Sequence, residues 1–402
     1  MACVGPRRAP SSAPAPSARR EWRRQHPARQ ACSRKCAVAN SGTGQHRFEK
    51  WTSWTSSCET LAESILSWRS ERFVGGGRMN SWRCAWLASL LVAASAWAQD
   101  PAPGYPSRPI RVIVPFPAGG AADALPRIVG ERLAARWGQP VVVENRAGAS
   151  GSIGTEAVAR AEPDGYTLLA TPPAPLVINP SLYPKLPYDP AQFVPVTVMA
   201  AIPSVLLVNA AKVPVNTLQE FVALVRANPD KFNYASQGTT TVSFLTTEMF
   251  KTAAGSLRIT HVPYKGTAPG LAALLAGEVE MMFDNLGVTV QHVRAGKLRA
   301  LAVGSERRVP SLPEIPAMAE FYPGFVSIAW FSVSAPPKTP AAIADKLSAT
   351  IVEILREPDV AKRFDALSAE PIASTPAGMT AIMKEDAERW RNIIRAAGVK
   401  LE

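Results

Sequence analysis

The stretch Pro115-Phe-Pro-Ala-Gly-Gly-Ala-Ala-Asp123 offers chemistry through its main chain more than through its side chains. Gly119 and Gly120 allow left-handed backbone angles and close approach to a ligand. Asp123 reads as the N-cap of a helix from Ala124 to Trp137, whose first-turn amides carry the positive end of the helix dipole. The result is an anion seat made of N–H groups. Its spacing fits neither the phosphate loop G-x-x-x-x-G-K-S/T nor G-x-G-x-x-G, so a carboxylate is the favoured anion. Pro117, Ala118, Gly119, Gly120, Ala121, Ala122 and Asp123 are the candidate contacts.

A second set lies further along the chain. Ser236, Gln237, Thr239, Thr240 and Thr241 precede a predicted helix and offer hydroxyls, an amide and free N–H groups. Thr240 or Thr241 equally suits ordinary N-capping. Asp284, followed by Asn285, ends an apolar strand; it either orients a loop by accepting N–H bonds or meets a ligand ammonium. Thr171 opens the loop that follows the strand ending at Ala170 and joins the set. Lys265 is the only lysine or arginine in these loop cores. Carboxylate binding would then rest on neutral donors, which lowers the desolvation cost and permits release.

Catalysis finds little support. After residue 98 there are two histidines, His261 and His292, with no H-E-x-x-H or H-x-H context for metal and no G-x-S-x-G elbow. Ser236 with Lys265 or Asp284 could pair as nucleophile and base, but their spacing matches no motif. No enzyme, cofactor or metal is expected.

The elements that must hold these residues alternate between strand and helix. Ile110–Val114, Gln139–Glu144 and Tyr166–Ala170 read as strands, with helices at 124–137 and 155–161. Gly148, Gly151 and Gly154 between them have G-x-x-G-x-x-G spacing, which suits a tight turn with close helix–sheet packing better than a dinucleotide. The proline-punctuated 182–190 reads as a surface excursion. The apolar runs Ile202–Val208 and Ile328–Val333 bracket a complete second α/β series, and the helical C-terminal part returns to the first. Two lobes are expected, 99–204 with 327–402 and 205–326, joined by two crossing strands. Val205–Val208 and Phe331–Ser334 are the expected hinge flanks. Ligands in such sheets bind beyond the strand C-termini, here across a cleft.

Composition divides the chain sharply. It carries 44 Lys+Arg against 32 Asp+Glu, net +12. The first 98 residues hold 15 basic and 5 acidic residues, leaving 29 against 27 for 99–402. The basic excess therefore belongs to the N-terminal segment and does not argue for nucleic-acid binding. All five cysteines lie there too, so residues 99–402 hold no disulfide or thiolate site. Met79-Asn-Ser-Trp-Arg83, the apolar Trp86–Ala94 and Ala96-Trp97-Ala98 form a secretory signal peptide, residues 79–98, cleaved before Gln99. Residues 1–78 are aperiodic and rich in Arg, Ser, Ala, Pro and Trp. They read as upstream sequence mistaken for coding, or as a disordered extension.

Several motifs carry a resemblance. Tyr105-Pro-Ser-Arg-Pro-Ile110, Pro115–Gly120, Gly138-Gln-Pro-Val-Val-Val-Glu-Asn-Arg146 and Pro163-Asp-Gly-Tyr-Thr-Leu168 resemble the Bug family, the substrate-binding receptors of tripartite tricarboxylate transporters. Leu186-Pro-Tyr-Asp189, Asn233-Tyr-Ala-Ser236, His261-Val-Pro-Tyr-Lys-Gly266, Phe283-Asp-Asn285 and Ala295–Ala300 extend it in order, over essentially Tyr105 to Val399. The resemblance implies an α/β, type II periplasmic binding-protein fold closing on a small carboxylate, a periplasmic location, and transporter membrane subunits as partners. A monomer is expected. A sensor serving a signalling partner shares this fold and stays open as the alternative. The chain departs from the family at Ala121 and Ala122, where a hydroxyl is frequent, and at Phe244, where histidine is common. It also has Leu286-Gly-Val-Thr289 without the frequent proline. Phe244 suggests a more apolar or aromatic acid.

Overall fold

A computed structural model describes residues 102–399. The expected signal peptide and the segment before it lie outside these residues.

Three β-branched or apolar runs open the fold. β1 (Ile110–Val114) pairs in parallel with β2 (Val141–Asn145) on one side and β3 (Thr167–Thr171) on the other. Between β1 and β2 runs α1 (Ala121–Trp137), capped at its C-terminus by left-handed Gly138 (φ 64°). α2 (Ser152–Ala159) follows β2. Gly154 lets it lie against the β1 turn, since a Cβ there would come 2.7 Å from the Arg146 carbonyl. Close packing is thus what the third glycine of that loop provides. The short α3 (Asn179–Leu182) leads into 182–190, where Tyr188 is buried and donates its hydroxyl to the Pro175 carbonyl at 2.9 Å. The excursion runs over the surface, with Pro184, Lys185, Pro187 and Asp189 exposed, and is anchored by the buried Leu182 and Tyr188.

The long β4 (Val194–Asn209) links the two sets of strands. Up to Pro203 it pairs antiparallel with β9 (Ile328–Ala335). From Ser204 onward it pairs with β7 (Met281–Asn285), and from Val205 with β8 (Leu298–Val303). The second set adds β5 (Asn233–Ser236), parallel to both β6 (Thr260–Pro263) and β7. Its helices are α4 (Leu218–Ala227), α5 (Val242–Ala253), α6 (Thr267–Ala276) and α7 (Leu286–Arg294). The sheet runs β2-β1-β3-β9-β4-β7-β5-β6, with β8 and β10 (Glu370–Pro371) also on β4.

The change of partner happens at one point. Ser204 N donates to Ser327 O at 3.0 Å, Ser327 N to Gly304 O at 2.7 Å and Gly304 N to Ser204 O at 2.6 Å. Phe331–Ser334, expected at the hinge, lies within the first set instead: Ser332 and Val333 pair with Thr171 and Ala170 on one side and Val198 and Thr197 on the other. An apolar run marks a buried strand but not where that strand changes neighbours.

The C-terminal helices α8 (Ala341–Leu355), α9 (Pro358–Asp365) and α10 (Pro376–Ala396) cover the first set. Asp386 pins α10, accepting from Trp330 Nε1 at 2.8 Å, Trp390 Nε1 at 2.9 Å and Arg389. A separate core of Leu206, Val208, Phe221, Tyr234, Phe250 and Phe283 fills one face of the second set.

Candidate functional site

The C-terminal ends of β1, β5 and β7 and the turn after β3 meet at one cleft. The first set contributes Phe116, Pro117, Gly120, Ala121, Ala122, Pro172, Ala174, Ala329 and Phe331; the second contributes Gln237, Thr241, Val242, Ser243, Gly266, Thr267, Asp284 and Asn285, with Ser204 at the crossing. Four helices begin here: α1 at Ala121, α5 at Val242, α6 at Thr267 and α7 at Leu286. Their first-turn amides have no intrahelical acceptors, so four positive dipole ends converge on one space. No lysine, arginine or histidine lines it. The free cavity is about 30 Å³, room for only a few waters at roughly 10–15 Å³ each.

The α1 seat differs in detail from its sequence reading. The helix starts three residues early, at Ala121, and its N-cap is Gly120, not Asp123. Asp123 sits in the first turn and reaches back. Its carboxylate accepts from Gly119 N (3.3 Å), Arg127 Nε (2.9 Å) and Asn145 Nδ2 (2.9 Å). It braces the loop from behind and does not line the cleft. Only Gly119 uses a left-handed angle (φ 95°); Gly120 is extended at φ −99°. Gly120 matters for space instead, since a Cβ would stand 3.3 Å from Thr267 Oγ1 across the cleft.

Asp284 dominates the facing wall. Its Oδ1 accepts from Gln237 Nε2, from Asn285 N (2.7 Å) and from Thr267 Oγ1 (3.3 Å). Its Oδ2 is buried without a hydrogen-bond partner. Burial pushes the carboxyl up to about 7, against the opposing effect of those three donors.

Of the remaining sequence candidates only Thr241 lines the cleft. Ser236 is buried and bonds His261 Nε2 at 2.6 Å while bracing Gly238. His261 stacks between Tyr234 and Phe244, each ring 4.7 Å away, and burial pushes it down to about 4, so it is neutral at physiological pH. This serine–histidine pair is a packed strut outside the cleft. Phe244 likewise packs on His261 and does not line the cleft, so it gives no preference for an aromatic ligand. Thr240 donates to Asn179 Oδ1 at 2.7 Å, joining the two sets directly. Thr241 does cap α5. Ala118, Gly119, Thr171, Thr239 and Lys265 also fall outside the lining, which instead contains Gly266 and Thr267. Those two were missed because 263–269 reads as loop, whereas α6 begins at Thr267 despite Pro269; proline is tolerated in a first turn. Phe116 lies within a quoted motif, but Ser204, Ala329 and Phe331 carry no local signal.

The fold and cleft define an α/β periplasmic binding protein. The sequence profile described as "Tripartite tricarboxylate transporter family receptor" matches residues 125–399. The protein BugT of Bordetella pertussis is 38% identical over 328 residues, 81% of this chain and 100% of the relative. The structure of R. palustris Rpa4515 with adipate has a TM-score of 0.72 at 35% identity, covering 74% of this chain and 99% of the other. MatC from Rhodopseudomonas palustris, solved with bound malate, has a TM-score of 0.68 at 33% identity, covering 72% and 100%. The chain belongs to the tripartite tricarboxylate transporter receptor family, the Bug proteins among them. Among the described residues no helix is long and apolar enough to cross a membrane.

Proposed function

We propose that this protein is an extracytoplasmic receptor that closes its cleft on a small carboxylate and presents it to the membrane subunits of a tripartite tricarboxylate-type transporter. The observation that carries the reading is the convergence of four helix N-termini on a space lined by no cationic side chain. Such a site favours an anion through fixed dipoles and neutral donors, with less desolvation cost than a buried lysine would impose. Phe116, Pro172 and Phe331 would cover the carbon skeleton. The adipate and malate held by related receptors are both small carboxylates, the ligand class proposed here.

The lobes in this reading are 99–204 with 327–402 and 205–326, hinged where Ser204, Gly304 and Ser327 meet. The contacts proposed are Pro117, Gly120–Ala122, Gln237, Thr241, Asp284 and Asn285 from the original set, joined by Thr267 and Ser243. A receptor is favoured over a hydrolase because the serine–histidine pair Ser236–His261 is part-buried and neither residue lines the cleft. The motif series at 79–98 supports export to the periplasm.

A thermal-shift panel of carboxylic acids, with matched amides as controls, tests this. At a hundredfold excess over Kd a bound acid adds about 2.7 kcal/mol, which raises Tm by roughly 4 °C. A panel in which no acid moves Tm overturns the proposal.

A further inference from the structure

Asp284 has one oxygen crowded with donors and one with no partner. Oδ1 takes the amide of Gln237, the backbone N–H of Asn285 and the hydroxyl of Thr267, while Oδ2 is buried and unbonded, in a residue that lines the cleft. No ion pair offsets its charge. From β4 it meets Val205 across the strand pair. On β5, Tyr234 is turned to Glu248, which is itself held by Lys251 of α5 at 2.8 Å. On β6, His261 is neutral and committed to Ser236. Helix α6 contains no charged residue, α7 has His292 and Arg294 only in its last turn, and on α1 Asp123 and Arg127 pair with each other at 2.8 Å.

Four helix N-termini face this space, but no lysine, arginine or histidine lines it to offset the Asp284 charge. A ligand carboxylate would add a second beside Asp284, with no cation between them. Two carboxylates brought together away from water do not both stay ionised, and one takes a proton. The direction of the bonds says which oxygen receives it: three donors already occupy Oδ1, so the proton belongs on Oδ2.

Building on the carboxylate reading of the cleft, we propose that Asp284 binds ligand as a neutral acid, its Oδ2–H donating to a carboxylate oxygen of the ligand. Where Asp284 is ionised in the free protein, each ligand captured brings one proton from solvent onto it and remains an anion; release returns that proton. The elevated acidity range of Asp284, about 7, supports this. The sign follows: below that pH the proton is already present and affinity is flat, whereas above it each binding event must supply the proton and affinity falls about tenfold per pH unit.

Calorimetry with adipate and malate as probes, in two buffers of different ionisation heat at pH 6 and pH 8, reads the proton directly. The wild type is expected to take up about one proton per ligand at pH 8, with uptake falling towards zero at pH 6, and to bind about tenfold more weakly at pH 8 than at pH 6. Asp284→Asn places a permanent, uncharged N–H donor at the same position. It should show no proton uptake and no pH dependence, and at pH 8 it should bind about tenfold more tightly than wild type. Binding at pH 8 without proton uptake overturns the proposal while leaving the carboxylate reading intact. So does binding of malate alone without uptake, which would make Oδ2 an acceptor for the ligand hydroxyl. Binding of neither probe, nor of any acid in the thermal panel, overturns both. Should Asp284→Asn fail to fold, the two-buffer comparison on the wild type alone decides.

Discussion

Asp123 illustrates how one side chain can support a binding loop without touching the ligand. Burial alone would raise its acidity range, but hydrogen bonds from Arg127, Asn145 and Gly119 outweigh this and hold the carboxyl below the usual carboxylate value. A depressed group contributes stability above its unfolded value, about 3.9, and loses it as pH falls through the folded value. Asp123→Ala is therefore expected to cost about 1–2 kcal/mol at pH 7, since three donors lose their acceptor. Urea unfolding at pH 7 and pH 3 checks this: the gap between variant and wild type should narrow at the lower pH. A gap of equal size at both values would mean that the ionised form is not what holds the loop.

At the scale of elements, α7 shows how tightly the second set of strands is fitted against the C-terminal segment. Gly287 lies one residue into that helix, and a Cβ on it would fall 1.6 Å from the Leu367 carbonyl oxygen, which is backbone and has no rotamer to change. Gly287→Ala should destabilise the protein by at least about 2 kcal/mol, because either the helix or the 367 turn must move. Thermal unfolding measures it, and an unchanged Tm would show that the contact is not held in solution. Gly287 stands beside Asn285, so the same displacement would reach the cleft. Elements of this kind were largely readable from sequence. Ile110–Val114 is a run of apolar and β-branched residues, and it folds as a strand with those bounds. Helix starts were less readable. Asp123 resembles a cap because its carboxylate does accept an N–H, but that N–H belongs to Gly119, ahead of the helix. Thr267 lay hidden between a glycine and a proline. Phe331 and Ala329 reach the cleft through the pairing of β9 with β3 and β4, a long-range fact that no local pattern contains.

Across residues 102–399, one long strand, β4, links two sets of strands, and residues of both sets line a single space. Thr240 reaches across to Asn179, and Gly120 faces Thr267 with room for little beyond a hydrogen. In the proposed receptor, closure and binding would share these surfaces, and Gly120 offers the sharpest probe of both. Gly120→Val keeps an ordinary extended angle and leaves the β1 core untouched, but it sets a branched side chain against Thr267. The decisive measurement is a calorimetric titration of wild type and Gly120→Val with adipate and malate, with Tm recorded for both proteins. One-to-one binding by the wild type and a loss of more than about tenfold in the variant, roughly 1.4 kcal/mol or more, at nearly unchanged Tm, is the result this account predicts. A Gly120→Val protein that binds as the wild type does would contradict it.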